Sequence, residues 1–447
     1  MKKILLLIVI LVVVGGGSLA WFVTRLPPSP FDEMAVPPPS VDLAQRGEYV
    51  ARLSDCVACH SLPNAKPFAG GLEMGTPLGS IFATNITPDK QTGIGNYSLA
   101  DFDRAVRKGV APDGRRLYPA MPYPSYEKMT DDDVRALYAF FMTDVAPVNQ
   151  PNALSEISWP MNMRWPLAMW NLIFTDGETY QQKTSEDVAW NRGAYLVQGA
   201  GHCGSCHTPR SLTMNEKALD ESSPDYLAGA LLDGWYAPSL RQDNTGLGRW
   251  SEDDIFAFLK NGRNQHAVVF GSMAEAYNNS LAFMTDEDLR AISVYLKSLP
   301  GDTSRDGAPW PRNVPPATSL SVSDRLKIPG AQTYASRCGF CHGPEGVGQN
   351  QWIPPLAGAA SSLTVENASQ INVTLNGSAR VITKGIPDAY RMPPFRGQLS
   401  DKEIADVLTY VRSSWGNHGG PVSIDDVKAL REHTDPASSN PIVLQMR

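Results

Sequence analysis

The chain has 447 residues, too many for one ordinary core, since domains cluster near ~100 to 150 residues, so about three domains are expected. With 42% hydrophobic and 19% charged residues, the composition is that of a folded globular protein and excludes a disordered one. A net charge of -7 offers no electrostatic footprint for a polyanion and argues against a nucleic-acid partner.

The first element is an N-terminal hydrophobic segment, residues 1–26. Lys2 and Lys3 precede an uncharged apolar run from Ile4 to Val23, closed by Arg25 and "LPPSP". About 20 apolar residues can span a bilayer, which makes the segment a membrane anchor. Its densest part, Ile4 to Val14, followed by "GGGSLA" with Ser18 and Ala20 in a small-x-small pattern, also reads as a cleavable signal peptide. Either reading places the body of the chain outside the cytoplasm, because paired lysines stay inside.

After a proline-rich linker, 27–40, one unit is repeated three times, over 41–148, 188–300 and 324–416. Each copy opens on a helical stretch with a glycine and an aromatic residue: "RGEYVARLSDC", "RGAYLVQGAGHC" and, more loosely, "GAQTYASRC". Each stretch runs into C-x-x-C-H, at Cys56, Cys59 and His60, at Cys203, Cys206 and His207, and at Cys338, Cys341 and His342.

Further on, "TGIGNYS" and "TGLGRWS" each start a helix that stops near Gly109 and Gly262, residues suited to a C-cap. The third copy has "QINVTLNG" instead, Gln370 to Gly377. Thr130, Thr285 and Ser400 then cap the closing helices, each with an acid three residues on. Apolar residues at spacings of three and four, such as Val134, Leu137 and Phe141, give those helices one buried face.

Strand signals are weak, so three small, mostly α domains are expected. A connector, 149–187, carries Trp159, Trp165 and Trp170, read as packing residues with a docking face near Trp165 as the alternative. A second linker covers 301–323. A polar C-terminal tail, 417–447, contains His418 and His433 with no visible role.

Cysteines at i and i+3 project to one side of a helical turn, and a histidine directly after them can turn toward the centre of a flat ligand. This is the signature of covalent haem: two thioethers fix the porphyrin and the histidine binds iron. A zinc site needs four ligands, and each copy offers one pair and one histidine. A thioredoxin-like pair needs a βαβ setting that the pattern lacks. All six cysteines lie in the motifs, which leaves none for a disulfide framework. Three covalently bound haem c groups are the expected cofactors.

For the sixth iron ligand the first copy offers Met121 or Met129, the second Met273 or Met284, and the third Met392. Met129 and Met284 each precede a helix N-cap, where a hydrophobic staple explains them, leaving Met121, Met273 and Met392. His266 is the rival in the second copy, and His202 abuts Cys203 too closely to reach the opposite face. His/Met ligation fills both axial positions and suits electron transfer. The imidazoles need an acceptor at their other nitrogen, sought in "APSL" (Ala237 to Leu240) and "PPL" (Pro354 to Leu356). No nucleotide-binding glycine fingerprint and no spare Cys/His cluster is present, so no catalytic residue is assigned.

With "TNITPD", "LYPAMPYPSY", "WNRGAYLVQGAGHCGSCHTPR" and "LDGWYAP" in order, from about Val41 to Trp415, the chain resembles the triheme cytochrome c subunits of bacterial membrane-bound dehydrogenases. The resemblance implies three tandem class I-like cytochrome c domains at the periplasmic face of the inner membrane. It implies electrons arriving from a separate catalytic subunit of flavin or pyrroloquinoline quinone type, with a small third subunit, and leaving to ubiquinone. It carries over the ligands Cys56, Cys59, His60 and Met121, then Cys203, Cys206, His207 and Met273, then Cys338, Cys341, His342 and Met392. Two other readings remain: a freestanding periplasmic carrier to a terminal oxidase, and an enzyme proper with an exchangeable haem position at Met273 or His266.

Overall fold

A computed structural model of the chain describes residues 2–33, 40–302, 309–310, 322–383, 387–437, 444 and 446. It is mostly helical, with two short antiparallel hairpins. The chain divides into two compact units, residues 1–181 with 444–447, and residues 182–443. The first motif lies in the first unit and the other two lie in the second.

In the first unit, helix α1 covers Lys2–Thr24. Among the described residues no helix is long and apolar enough to cross a membrane. The side chains of residues 6–12, the centre of the apolar run expected there, lie outside the described residues. Helix α2, Val41–Leu53, starts at Ser40, whose side chain accepts from the Leu43 N–H. Strands β1 (Glu73–Thr76) and β2 (Gly79–Phe82) pair with Glu73 opposite Phe82. Helix α3, Leu99–Lys108, has a reciprocal Ser98/Asp101 capping box and ends at Gly109 in left-handed backbone. Helix α4, Asp131–Thr143, is capped by Thr130.

Helix α2 crosses α4 at Gly47, where any Cβ would collide with the carbonyl of Ala136 and the Cβ of Phe140. The glycine therefore sets how closely the opening and closing helices approach. Phe68 stands edge-on to Phe140 and Phe141 at 6.1 and 5.1 Å beside this crossing. The expected connector is structured: it contains helix α5, Pro166–Phe174, whose Asn171 side chain accepts from the Tyr123 hydroxyl and donates to the Lys108 carbonyl.

The second unit repeats the plan and then extends it. Helix α6 (Val188–Gln198), strands β3 (Ala230–Leu232) and β4 (Trp235–Ala237), helix α7 (Glu252–Asn261), helix α8 (Met273–Asn279) and helix α9 (Asp286–Ser298) form the second copy. Gly193 of α6 meets the Ala291 carbonyl and the Tyr295 Cβ of α9, as Gly47 meets α4. The third copy opens irregularly, with a π turn over Tyr334–Cys338 ahead of its motif. Helix α10 (Ala368–Asn376) and helix α11 (Asp401–Ser413) follow.

The second and third copies share structure. The β4 residue Tyr236 donates its N–H to Ser369 Oγ at 2.8 Å, and Asn372 Nδ2 donates to the Gly234 carbonyl at 3.0 Å. Val269, Ala274 and Tyr277 of the second copy form one small core with Val381 of the third.

The region from 417 departs from the expected polar tail. It contains helix α12, Ile424–His433, capped by Ser423, and Val427 is fully buried with Ile404, Val407 and Val411 in the core of the third copy. Leu430, half-buried, packs against the same core, and the charged residues around it and Val427 mask these two apolar anchors in the sequence.

Candidate cofactor sites

Each C-x-x-C-H motif falls on a single helical turn: Cys56–Cys59 with His60 as its C-cap, Gly204–His207 after Cys203, and Gly339–His342 after Cys338. In all three the first cysteine is half-buried, the second is exposed, and none is bridged. Burial pushes the first thiol up, to about 12 at Cys203 and about 11 at Cys338, and in the same direction at Cys56. These are neutral thiols, the opposite of the lowered pKa that a redox pair or thiolate metal site requires. Among the described residues no three His, Cys, Asp or Glu side chains converge to hold a bare metal ion.

The histidines are oriented in one way three times over. His60 Nδ1 lies 2.7 Å from the Thr84 carbonyl oxygen, His207 Nδ1 lies 2.7 Å from that of Pro238, and His342 Nδ1 lies 3.0 Å from that of Pro354. Nδ1 is thus engaged and Nε2 is left for a metal. Burial lowers the pKa of all three rings, which keeps them neutral, the ligating form. The main chain repeats as well: Gly70, Gly229 and Gly348, all at positive φ, donate their N–H to the carbonyls of His60, His207 and His342 at 2.8, 2.7 and 2.9 Å.

The two carbonyls in the second and third copies lie within the segments expected from sequence, whereas Thr84 had not been singled out. The missed signal was the hairpin: Thr84 follows β2 in "FATNI" as Pro238 follows β4 in "YAPSL", so the repeated pair of strands delivers the repeated carbonyl.

Met121, Met273 and Met392 are all half-buried. Met121 lies between α3 and α4, with its N–H on the Tyr118 carbonyl at 3.2 Å. Met273 opens α8, and its side chain touches the small core of Val269, Ala274 and Tyr277. Met392 is clamped to Ser378, donating its N–H to Oγ at 2.9 Å and accepting from the Ser378 N–H at 3.0 Å. Met129 is fully buried and Met284 half-buried.

Three further histidines have other engagements. His266 is stacked on Trp250 at 5.2 Å with its Nε2 3.4 Å from Asp254 Oδ2. His202 Nδ1 lies 3.0 Å from the Ala200 carbonyl, and His433 Nδ1 lies 2.7 Å from that of Ala429.

The donor set fits covalent haem: two neutral thiols on one turn suited to thioether bonds, and an imidazole steadied through Nδ1 with Nε2 for iron.

Comparison with known proteins agrees with this chemistry. A family profile described as Cytochrome c matches residues 328–415. The chain is 47% identical over 403 residues to the cytochrome c subunit of alcohol dehydrogenase (quinone) from Gluconacetobacter polyoxogenes, covering 89% of this chain and 86% of that one. It is 48% identical over 399 residues to the gluconate 2-dehydrogenase cytochrome c subunit of Pantoea cypripedii, covering 87% and 90%. To the fructose dehydrogenase cytochrome subunit of Gluconobacter japonicus it is 38% identical over 403 residues, covering 86% and 82%.

Proposed function

Since the chain belongs to the family of dehydrogenase cytochrome c subunits, with electron transfer as the activity that membership implies, we propose that it carries three haem c groups in three class I-like modules and relays electrons from a dehydrogenase catalytic subunit to ubiquinone. When bound, each haem supplies a one-electron carrier. The protein's own part is to fix and tune it. Cys56 and Cys59, Cys203 and Cys206, and Cys338 and Cys341 form the thioethers. His60, His207 and His342 would bind the iron through Nε2 and Met121, Met273 and Met392 would supply its second protein ligand, a pairing that would raise the potential and suit electron transfer.

The observation that carries this reading is the threefold hold on the histidines by the Thr84, Pro238 and Pro354 carbonyls, since an isolated chance motif has no reason to repeat its supporting carbonyl. The donor side rests on the relatives, whose names are those of alcohol-, gluconate- and fructose-oxidising systems. A catalytic subunit of flavin or pyrroloquinoline quinone type, with a small third subunit, is the partner we propose.

The membrane side rests on the lysine-flanked apolar run at Ile4 to Val23 and on α5, which lies against α1 and exposes Trp165, Leu172 and Ile173, with Trp159 exposed just before it. We place the protein at the periplasmic face of the inner membrane.

The test is optical. The complex is extracted in detergent, haem is counted as the pyridine haemochrome, and ethanol, gluconate, fructose or an aldehyde is added while the α-band is watched. Three haems per chain and reduction by one substrate support the proposal. Fewer haems refute the assignment of a cofactor to every motif. Three haems that no substrate reduces refute the dehydrogenase partnership.

A further inference from the structure

We infer that Arg116 and Arg263 hold carboxylate groups of the cofactors attached at the first and second motifs; this rests on the reading that each motif carries a haem. The two arginines stand on opposite sides of one equivalent bridge in the repeated module. After the glycine that ends the middle helix, each copy forms a small antiparallel bridge: Val110 opposite Arg116 after Gly109, and Arg263 opposite Val268 after Gly262. The frame is the same in both, with the Leu117 N–H on the Gly109 carbonyl and the Val269 N–H on the Gly262 carbonyl, each at 2.8 Å. The cation comes from the second side of the bridge in one copy and from the first side in the other. Each bridge leads directly to the candidate ligand, Met121 or Met273.

Both side chains are buried, with relative exposures of 8% and 2%. Both also keep donors without a hydrogen-bond partner among the described residues: Arg116 Nε, and Arg263 Nε and Nη2. Arg116 Nη2 reaches only the Arg25 carbonyl at 3.3 Å. Near Arg263, the carboxylate of Asp388 acts at longer range and is itself 3.7 Å from Arg380. A desolvated guanidinium with unmet N–H groups is costly unless an anion meets it, and a planar fork suits a carboxylate. Haem carries two carboxylates. That an unmet guanidinium donor occurs on the equivalent bridge of two copies argues for one ligand common to both.

Arg263 has a second consequence. Its Cζ lies 4.3 Å from the ring centroid of Trp352, in the third copy. The Trp352 carbonyl accepts from the N–H of Tyr390, two residues before Met392, at 3.2 Å. Two residues after Trp352 lies Pro354, whose carbonyl meets His342. Arg263 is therefore a positioning residue that stands on the bridge before Met273 and over Trp352, which neighbours the third site in the chain.

The experiment uses the full chain carrying Arg263→Gln or Arg116→Gln, with haem counted as the pyridine haemochrome and each potential titrated against pH. Removing the cation weakens the ionised carboxylate, so the pH at which a potential begins to fall moves upward. The expected result is full haem content, an upward shift for one haem in each variant, and restoration by Arg263→Lys. Full haem content with unshifted profiles overturns the inference and leaves the cofactor reading intact. Fewer than three haems in the unmodified chain overturns that reading first and this inference with it. If Arg263→Gln fails to assemble, redox-difference infrared spectra of the unmodified protein with isotope-labelled propionates decide: carboxylate bands that move on N–H deuteration support the inference, and unmoved bands overturn it.

Discussion

Glu216 is buried beside the second motif, within hydrogen-bond reach of Ser205. Its side chain is 6% exposed, with the Ser205 hydroxyl 3.1 Å away and Arg210 at 4.0 Å. Burial outweighs both and pushes its pKa up from 4.5 to about 7. The folded state therefore binds this proton more tightly than the unfolded chain does. The group's favourable contribution is complete below pH 4.5 and is lost as pH rises toward about 7. Glu216→Gln should match the wild type in thermal melts below pH 4.5 and melt higher above pH 7; equal melting at both ends would contradict the assignment.

At the same scale, the motif residues were legible because C-x-x-C-H chemistry is contained within one turn. The carbonyl partners of its histidines were legible only where a proline followed the hairpin or bridge. Thr84 and Glu216 carry no local signature, since the partner of one and the burial of the other come from residues distant in the chain.

Among the elements, the crossing of opening and closing helices is the joint on which each module depends. A side chain at Gly193 would enter the backbone of α9 at Ala291. Gly193→Val should cost about 1–3 kcal/mol or more, as overpacking does, measured by denaturant unfolding. Arg412 on α11 makes a second joint in the third copy. It is fully buried and donates to the carbonyls of Ser361, Thr364, Val365 and Gly420 and to the Gln370 side chain, tying two loops to one helix. Arg412→Met leaves those buried acceptors unmet, at about 1–3 kcal/mol each before relaxation, so the unit formed by residues 182–443 should unfold at clearly lower denaturant than in the unmodified chain.

The caps at Thr130, Thr285 and Ser400 were readable because a cap with its acid three residues on is a short local pattern. Helix α12 was not read as core, because Val427 and Leu430, three residues apart, make too short a stripe to stand out among charged residues.

For the whole molecule, the division into two units has a measurable consequence. Residues 182–443 share a core through Tyr277 and Val381 and a hydrogen-bonded seam through Ser369 and Asn372. Limited proteolysis should release this stretch as one fragment, and hydrogen exchange should report α6 through α11 opening together; separate opening of the second and third copies would contradict the shared core. The sequence by itself displayed the three C-x-x-C-H motifs, the caps of the closing helices and the largely helical character, since each is written in spacings of a few residues. Only the tertiary structure decided that the second and third copies form one unit, that α12 completes the third core, and that Arg263 stands over Trp352. Those outcomes join residues that are remote in the chain, and contact at such separation leaves no periodicity for the sequence to display.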